Sequence, residues 1–374
     1  MKKRNKKLHK HSRHGPDRAL LITLFIILGL GLVILSSASL IISQEHFDNS
    51  YHYFFHQLIY GVGIGLIVFF IAQKVHYGFW KKWAWLALPL SIGALILVFI
   101  PGLGFGNGGA KRWIEIGAIT FQPSELVKLG LIIYLAAWLE KRKDNIKSFS
   151  HSTLPFLLIL GLLAGFFIAQ PDIGTLGVVI AIALTMFFLA GASWGHIGLI
   201  FLGGAASFFT LVKLAPYRMN RFLVFLNPEI DPLGIGYQMK QALLAIGSGG
   251  LFGVGLVHSR QKYSYLPSPA TDSIFAIAAE EIGFIGAVLI VILFVFLAIR
   301  GLKIAKKTSD KFGQLLAAGI TSWFIIQAFV NIGAITGLIP LTGITLPFIS
   351  YGSSSMIVSL AGMGILFNIS KYTT

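Results

Sequence analysis

Ten apolar stretches, each near the length of a bilayer crossing, constrain this chain more than any other feature. A membrane-spanning helix needs about 20 apolar residues at about 1.5 Å rise each. Stretches at 19–44, 55–73, 84–101, 124–140, 152–169, 174–192, 196–214, 273–300, 312–337 and 353–370 meet that demand. Between the fifth and sixth, only Gln170-Pro171-Asp172 interrupts the apolar run. Hydrophobic residues make up 55% of the chain and charged residues 12%, about half the usual charged share of a soluble domain. A soluble globular enzyme, a disordered chain and a fibrous repeat are thereby excluded. The expected fold is all-α: a polytopic membrane protein with about ten transmembrane helices and one large extracytoplasmic loop, between helices 7 and 8. No internal repeat is visible, so symmetry gives no argument for a transporter.

The basic residues fix an orientation. Lys and Arg number 30 against 14 Asp and Glu, a net charge of +16. If the N-terminus is cytoplasmic, 21 of the 30 fall in inner segments, as the positive-inside bias requires. An even number of spans then puts both termini in the cytoplasm. Residues 1–18 form a basic cytoplasmic tail, and 19–374 the membrane domain. The tail carries eight bases and leads straight into a span, so it reads as an arm held near anionic lipid rather than a nucleic-acid binder. Its apolar continuation is too long for a cleaved signal peptide. His9, His11 and His14 could bind metal, but read better as having no role. The chain has no cysteine, which removes disulfide frameworks and thiolate sites.

Polar groups at membrane depth are costly and mark function, and here they gather in three outer loops, 102–124, 214–272 and 338–352. In the first, Gly104, Gly106 and Gly109 match a dinucleotide fingerprint, but no strand leads in and no helix follows. The segment reads as a flexible loop. Lys111 and Arg112 beside Trp113 suit either a phosphate or lipid headgroups. Gln122, Ser124 and Glu125 open the fourth span, with Lys128 one turn on for a capped helix with an internal pair or a polar cavity mouth. Arg218 and Arg221 share a face if their segment is helical, making a two-pronged anion site, and Lys240 follows. The middle loop is long enough to fold back as amphipathic or re-entrant pieces.

Thr271 and Asp272 sit where the chain enters the eighth span. Asp272 is either a helix N-cap or a general base at the water–lipid boundary. Glu280 and Glu281 lie too far along and around a straight helix to share its site. Each needs a buried partner, with Lys128 one candidate. Ser350 and Tyr351, in the last loop, offer hydroxyls that would hold a sugar or satisfy loop backbone.

One carboxylate, several cations and hydroxyl-rich loops suffice for sugar transfer from a lipid-linked pyrophosphate. The base takes the acceptor's proton and cations stabilise the departing charge. A glycosidase needs a second carboxyl group because its leaving group is an alcohol. Gly109-Ala-Lys-Arg-Trp113, Gln122-Pro-Ser-Glu125, Gln170-Pro-Asp-Ile-Gly174, Gly249-Gly-Leu-Phe-Gly253, Thr271-Asp272 with Glu280-Glu281, and Leu346-Pro-Phe-Ile-Ser-Tyr-Gly352 occur in that order. Over about residues 19–370 the chain resembles the SEDS family (shape, elongation, division and sporulation).

The resemblance implies ten spans in the bacterial cytoplasmic membrane and a peptidoglycan glycosyltransferase that polymerises lipid II on the outer face. It implies as partners lipid II, the undecaprenyl-pyrophosphate-linked glycan, a class B penicillin-binding protein and other division or elongation proteins. Asp272 matches the family's essential Asp. Lys111, Arg112, Gln122, Ser124, Glu125, Arg218 and Arg221 match its outer cavity. Ser268, Ala270 and Ser273 depart from residues common in the family. The ending Phe367-Asn-Ile-Ser370 is more similar to the division branch, FtsW, than to the elongation branch, RodA. An inverting transfer is expected, with Asp272 as base and Lys111, Arg112, Arg218 and Arg221 as diphosphate clamps. A divalent cation would assist, though no ligand set is legible. The residues themselves leave two rivals open, a flippase for a lipid-linked precursor and a non-enzymatic scaffold.

Overall fold

A computed structural model describes residues 15–106, 111–116, 119–213, 216–227, 230–231, 233–263 and 265–373. Helices dominate. In chain order they are α1 (Arg18–Ala38), α2 (Leu40–Phe47), α3 (His52–His56), α4 (Ile64–Lys74), α5 (Gly78–Leu97), α6 (Pro123–Lys141), α7 (Leu154–Ala169), α8 (Ile173–Ala190), α9 (Trp194–Lys213), α10 (Pro216–Leu226), α11 (Tyr237–Ser248), α12 (Ile274–Lys307), α13 (Lys311–Ile335) and α14 (Ser353–Ser370). A π-helical stretch, Gln57–Gly63, joins α3 to α4, and another, Phe149–Thr153, leads into α7.

A helical run lies under each of the ten apolar stretches. Among the described residues, seven runs are long and apolar enough to cross a membrane: Arg18–Ala38, His52–Lys74, Phe149–Ala169, Ile173–Ala190, Ile274–Lys307, Lys311–Ile335 and Ser353–Ser370. The other three are α5, α6 and α9. Lys81 and Lys82 interrupt α5, and Glu125, Lys128, Glu140 and Lys141 interrupt α6. In α9, the side chains of 208, 211 and 212 lie outside the described residues. The first stretch is broken at Ser39, where α1 gives way to α2. The narrow division at Gln170-Pro171-Asp172 is a true helix break, with Asp172 capping α8 through the Thr175 amide.

The first outer loop departs from the flexible loop expected. Strands β1 (Gly104–Phe105), β2 (Trp113–Ile116) and β3 (Ile119–Phe121) form a small antiparallel sheet in the order β1-β2-β3, with Ile114 opposite Phe121. The alternation Trp113-Ile114-Glu115-Ile116 carries a strand period that a helix-length scan does not weigh.

The bundle core runs through α6, α12, α13 and α14, whose side chains are mostly buried over long stretches. Among the close pairs, α4 packs on α14, α5 on α6, and α12 on α13. Lipid supplies no hydrophobic drive between helices, so such contacts depend on close packing and internal hydrogen bonds. Gly364 illustrates the first: a Cβ there would lie 2.7 Å from the Phe69 carbonyl oxygen of α4. Asn368 illustrates the second, accepting from the Tyr77 amide and donating to the Gln73 carbonyl. Asn368, near the end of α14, thus clamps the turn between α4 and α5.

The long middle loop contains the two short helices α10 and α11, then re-enters the bundle. Gly283, at φ 72°, breaks α12. Residues 249–255 fill the break: the Val254 and Gly255 amides donate to the Glu280 and Glu281 carbonyls, and the Phe284 and Ile285 amides donate to Gly250 and Leu251. Backbone freed at membrane depth must be satisfied within the protein, and Gly249-Gly-Leu-Phe-Gly253 does this here. A Cβ on Gly253 would fall 2.1 Å from the Glu281 carbonyl oxygen.

Candidate functional site

Asp272 lies in the turn that leads into α12. It is half-buried, while Ser273 through Glu281 beyond it are buried. It does not cap the helix: Ser273 is the N-cap, and no side-chain cap bond forms. The Asp272 carboxylate instead accepts from two side chains, Gln238 Nε2 to Oδ2 at 3.1 Å and Thr271 Oγ1 to Oδ1 at 3.0 Å. Gln238 also donates to Ser273 Oγ at 3.1 Å. A carboxylate held by an amide and a hydroxyl, short of full burial, is oriented and still reachable by a proton donor.

Two further elements hold the turn from behind. Asn331 of α13 donates through Nδ2 to the Asp272 backbone carbonyl (2.8 Å) and to the Ile344 carbonyl (2.7 Å). In the last loop, Ser350 Oγ donates to the Thr271 carbonyl at 2.6 Å and accepts from the Leu346 amide, and the Tyr351 amide donates to the Ala270 carbonyl. The Ser350 hydroxyl therefore serves loop backbone. Tyr351 directs its hydroxyl to His56 Nδ1 at 3.1 Å. Burial, with Tyr53 alongside, pushes the Tyr351 phenol up to about 12.

One helical turn from Asn331 along α13, Gln327 anchors a second polar cluster. Lys128 Nζ donates to Glu125 Oε1 (2.8 Å) and Gln327 Oε1 (2.7 Å), and lies 5.3 Å from the centre of the Trp323 ring. Gln327 donates in turn to the Thr345 carbonyl at 3.0 Å. Ile344 and Thr345 thus tie the Asp272 turn to the buried Glu125–Lys128 pair. Ser124 Oγ and Glu125 Oε2 are buried without a hydrogen-bond partner among the described residues. Gln122 is held through its amide by Ser354 Oγ.

The expected cations divide. Lys111 and Lys240 are exposed. Lys240 stands two residues from Gln238, about 200° around α11, away from the face that meets Asp272. Arg221 is exposed and donates to the Leu341 carbonyl at 3.2 Å, tying α10 to the last loop. Arg218 is on α10, as the helical spacing requires, but its side chain lies outside the described residues. Arg112 is half-buried and turned to the 170–172 turn: it donates to the Gln170 and Pro171 carbonyls and lies 3.9 Å from Asp172. Its guanidinium is already engaged, a restraint that sequence spacing does not show.

Glu281 pairs with Lys262 and not with Lys128. Lys262 Nζ lies 3.1 Å from Glu281 Oε1, with both side chains essentially unexposed. Ser37 of α1 donates to the same oxygen, and Lys262 donates to Ser37 Oγ and the Val257 carbonyl. Glu280 accepts from Ser259 Oγ and from the Arg260 and Gln261 amides. Sequence reading passed over Lys262 because its loop folds back beside α12 only through the Gly283 break.

The fold and site together define a polytopic α-helical membrane protein with one oriented carboxylate at a helix entrance, braced by three distant segments. The chain belongs to the FtsW/RodA/SpoVE family: that family's model, described as "Cell cycle protein", matches residues 18–374. Stage V sporulation protein E of Bacillus subtilis (strain 168) is 44% identical over 359 residues, covering 96% of this chain and 98% of that protein. The probable peptidoglycan glycosyltransferase FtsW of Geobacter sp. (strain M18) is 42% identical, covering 95% and 97%. Among solved structures, one described as "Structural coordination of polymerization and crosslinking by a peptidoglycan synthase complex" superposes with a TM-score of 0.80 at 29% identity, covering 95% of this chain and 98% of that one. The rod shape determining protein RodA of Thermus thermophilus gives 0.71 at 28% identity, covering 96% and 99%.

Proposed function

We propose that this chain is a peptidoglycan glycosyltransferase that polymerises lipid II, with Asp272 as its general base. The observation that carries the reading is the Asp272 carboxylate, half-buried and held by Gln238 and Thr271 on a turn braced by Asn331 and Ser350. Asp272 takes the proton from the acceptor's GlcNAc 4-hydroxyl. That oxygen attacks the anomeric carbon of the growing chain, and the bond to undecaprenyl pyrophosphate breaks with inversion. A diphosphate leaves as an anion without a second protonated carboxyl group, which fits a turn with one carboxylate.

In this reading Lys111, Arg218 and Arg221 supply positive charge from the first and middle outer loops, Arg112 is held by the 170–172 turn, and Lys240, on the α11 face turned from Asp272, serves the more distant rim. Gln122, Ser124 and Glu125, at the start of α6, are assigned to substrate binding in the same reading. Among the described residues no group of three or more His, Asp or Glu forms a metal cluster, and no step is assigned to a divalent cation. The reading places this face outside the cytoplasmic membrane, across ten spans, with both termini and the 1–18 tail inside. The basic-residue bias supports that orientation. A class B penicillin-binding protein is the proposed partner, supported by the solved synthase complex that this chain resembles. Relatives named FtsW and stage V sporulation protein E support a division or sporulation role over elongation.

The test uses purified protein and labelled lipid II, with and without the partner. Glycan polymer forms with wild type and falls by about 10²–10⁴-fold in Asp272→Asn, the usual worth of a positioned base. Undiminished polymer would refute the base. Lipid II translocation in liposomes that survives Asp272→Asn, without polymer from wild type, would favour the flippase. Full function of Asp272→Ala in cells would favour the scaffold.

A further inference from the structure

At the far end of α12 from Asp272, a cavity of about 400 Å³ opens between the start of α1 and the ends of α12 and α14. Its lining includes Arg18, Arg300, Lys303 and Lys307, against a single carboxylate, Asp17. That carboxylate is fully engaged. Arg300 grips it with Nε at 3.2 and 3.1 Å and a terminal nitrogen at 2.6 Å, and it also accepts from the Leu20 amide. The Asp17 amide is held by Ser370 Oγ at the end of α14. The walls are therefore fixed to one another.

Cations outnumber carboxylates in this lining. Arg300, Lys303 and Lys307 recur at i, i+3 and i+7, on one face of α12, where like charges repel. Arg18 adds a cation from α1. Neither Arg18 nor Lys303 has an ion pair or hydrogen bond among the described residues. The positive-inside bias asks for basic residues near this surface, but it does not ask that they converge on a preformed hollow. Residues 1–14, which precede this lining in the sequence, contain no Asp or Glu and so supply no counter-charge.

We propose that this cavity binds the phosphate of an anionic glycerophospholipid in the cytoplasmic leaflet. Basic pockets between helices at that surface suit such headgroups. Arg18 and Lys303 contact the phosphate, and Arg300, locked by Asp17, sets the pocket's shape. The acyl chains lie along the apolar outward faces of α1 and α12, where Ile22, Phe25, Val295 and Ile299 are exposed. The inference needs only that this end of the bundle face the cytoplasm; it is independent of the glycosyltransferase reading.

The experiment is native mass spectrometry of the full-length protein in detergent, titrated with phosphatidylglycerol or phosphatidylcholine, with inorganic phosphate in a parallel arm. Wild type retains phosphatidylglycerol in preference to phosphatidylcholine. Each cation near an anionic lipid is worth about fivefold, so Arg18→Gln with Lys303→Gln weakens phosphatidylglycerol about 25-fold. Arg18→Lys with Lys303→Arg retains it. Lys74→Gln with Lys143→Gln, two exposed bases outside the cavity, leaves it unchanged and shows that net charge alone is not being read. Unaltered phosphatidylglycerol affinity in the Arg18/Lys303 variant, or an equal loss in the Lys74/Lys143 variant, overturns the proposal. Displacement of the lipid by millimolar inorganic phosphate, with phosphate retained, overturns the lipid assignment. Circular dichroism confirms that the variants are folded.

Discussion

Lys262→Met tests whether the re-entrant loop is held to α12 by charge. In the native bundle Lys262 and Glu281 are 0% and 1% exposed and 3.1 Å apart. Glu281 Oε1 also has the Ser37 hydroxyl and, at 3.4 Å, the Ser259 amide, while Oε2 has no hydrogen-bond partner among the described residues. Removing the ammonium leaves a buried carboxylate with one hydroxyl and one weak amide contact. Breaking such a pair from one side costs about 3–5 kcal/mol. Removing both charges, Lys262→Met with Glu281→Leu, replaces the pair with apolar volume. It loses only the Lys262 bonds to Ser37 and Val257 and the Glu281 contacts, about 1 kcal/mol each. The single changes should therefore add to more than the double change, with a coupling on the order of 3 kcal/mol. The assay is reversible unfolding of detergent-solubilised protein titrated with SDS, followed by helical signal, for the four members of the cycle. A single variant within about 1 kcal/mol of wild type, or a coupling below about 0.5 kcal/mol, would refute the claim that this pair fastens the loop.

Three other outcomes follow from particular contacts. Gln238→Ala removes the amide donor to Asp272 Oδ2 and should lower polymer formation about tenfold, roughly the worth of one hydrogen bond to a charged group, with little change in unfolding; Gln238→Glu should be worse because it sets a second carboxylate beside the first. Gly253→Ala combines φ 83° with a Cβ 2.1 Å from the Glu281 carbonyl oxygen, so folded yield should drop and stability fall by more than about 2 kcal/mol, whereas Gly247→Ala, on α11 with open space around it, should be neutral or mildly stabilising. Tyr351 is raised from about 10 to about 12 by burial. Its protonated form therefore supports the fold fully below pH 10, and that support is lost as pH rises towards 12; Tyr351→Phe should flatten this part of the stability profile, as read by the same unfolding assay from pH 9 upwards.

The apolar stretches made the helices and their order legible, because each helix satisfies its own backbone within one continuous segment. The break at Gln170-Pro171-Asp172 and Asp272 at the mouth of α12 were legible for the same local reason. Tertiary structure decided what those residues touch. Gln238 lies 34 residues from Asp272 in the chain, Asn331 reaches its turn from another helix, Lys262 meets Glu281 through a broken helix, and Arg112 turns to a distant carbonyl pair. Such contacts depend on where separate helices pack, and a hydropathy pattern shared by every span carries no record of which neighbour each one meets.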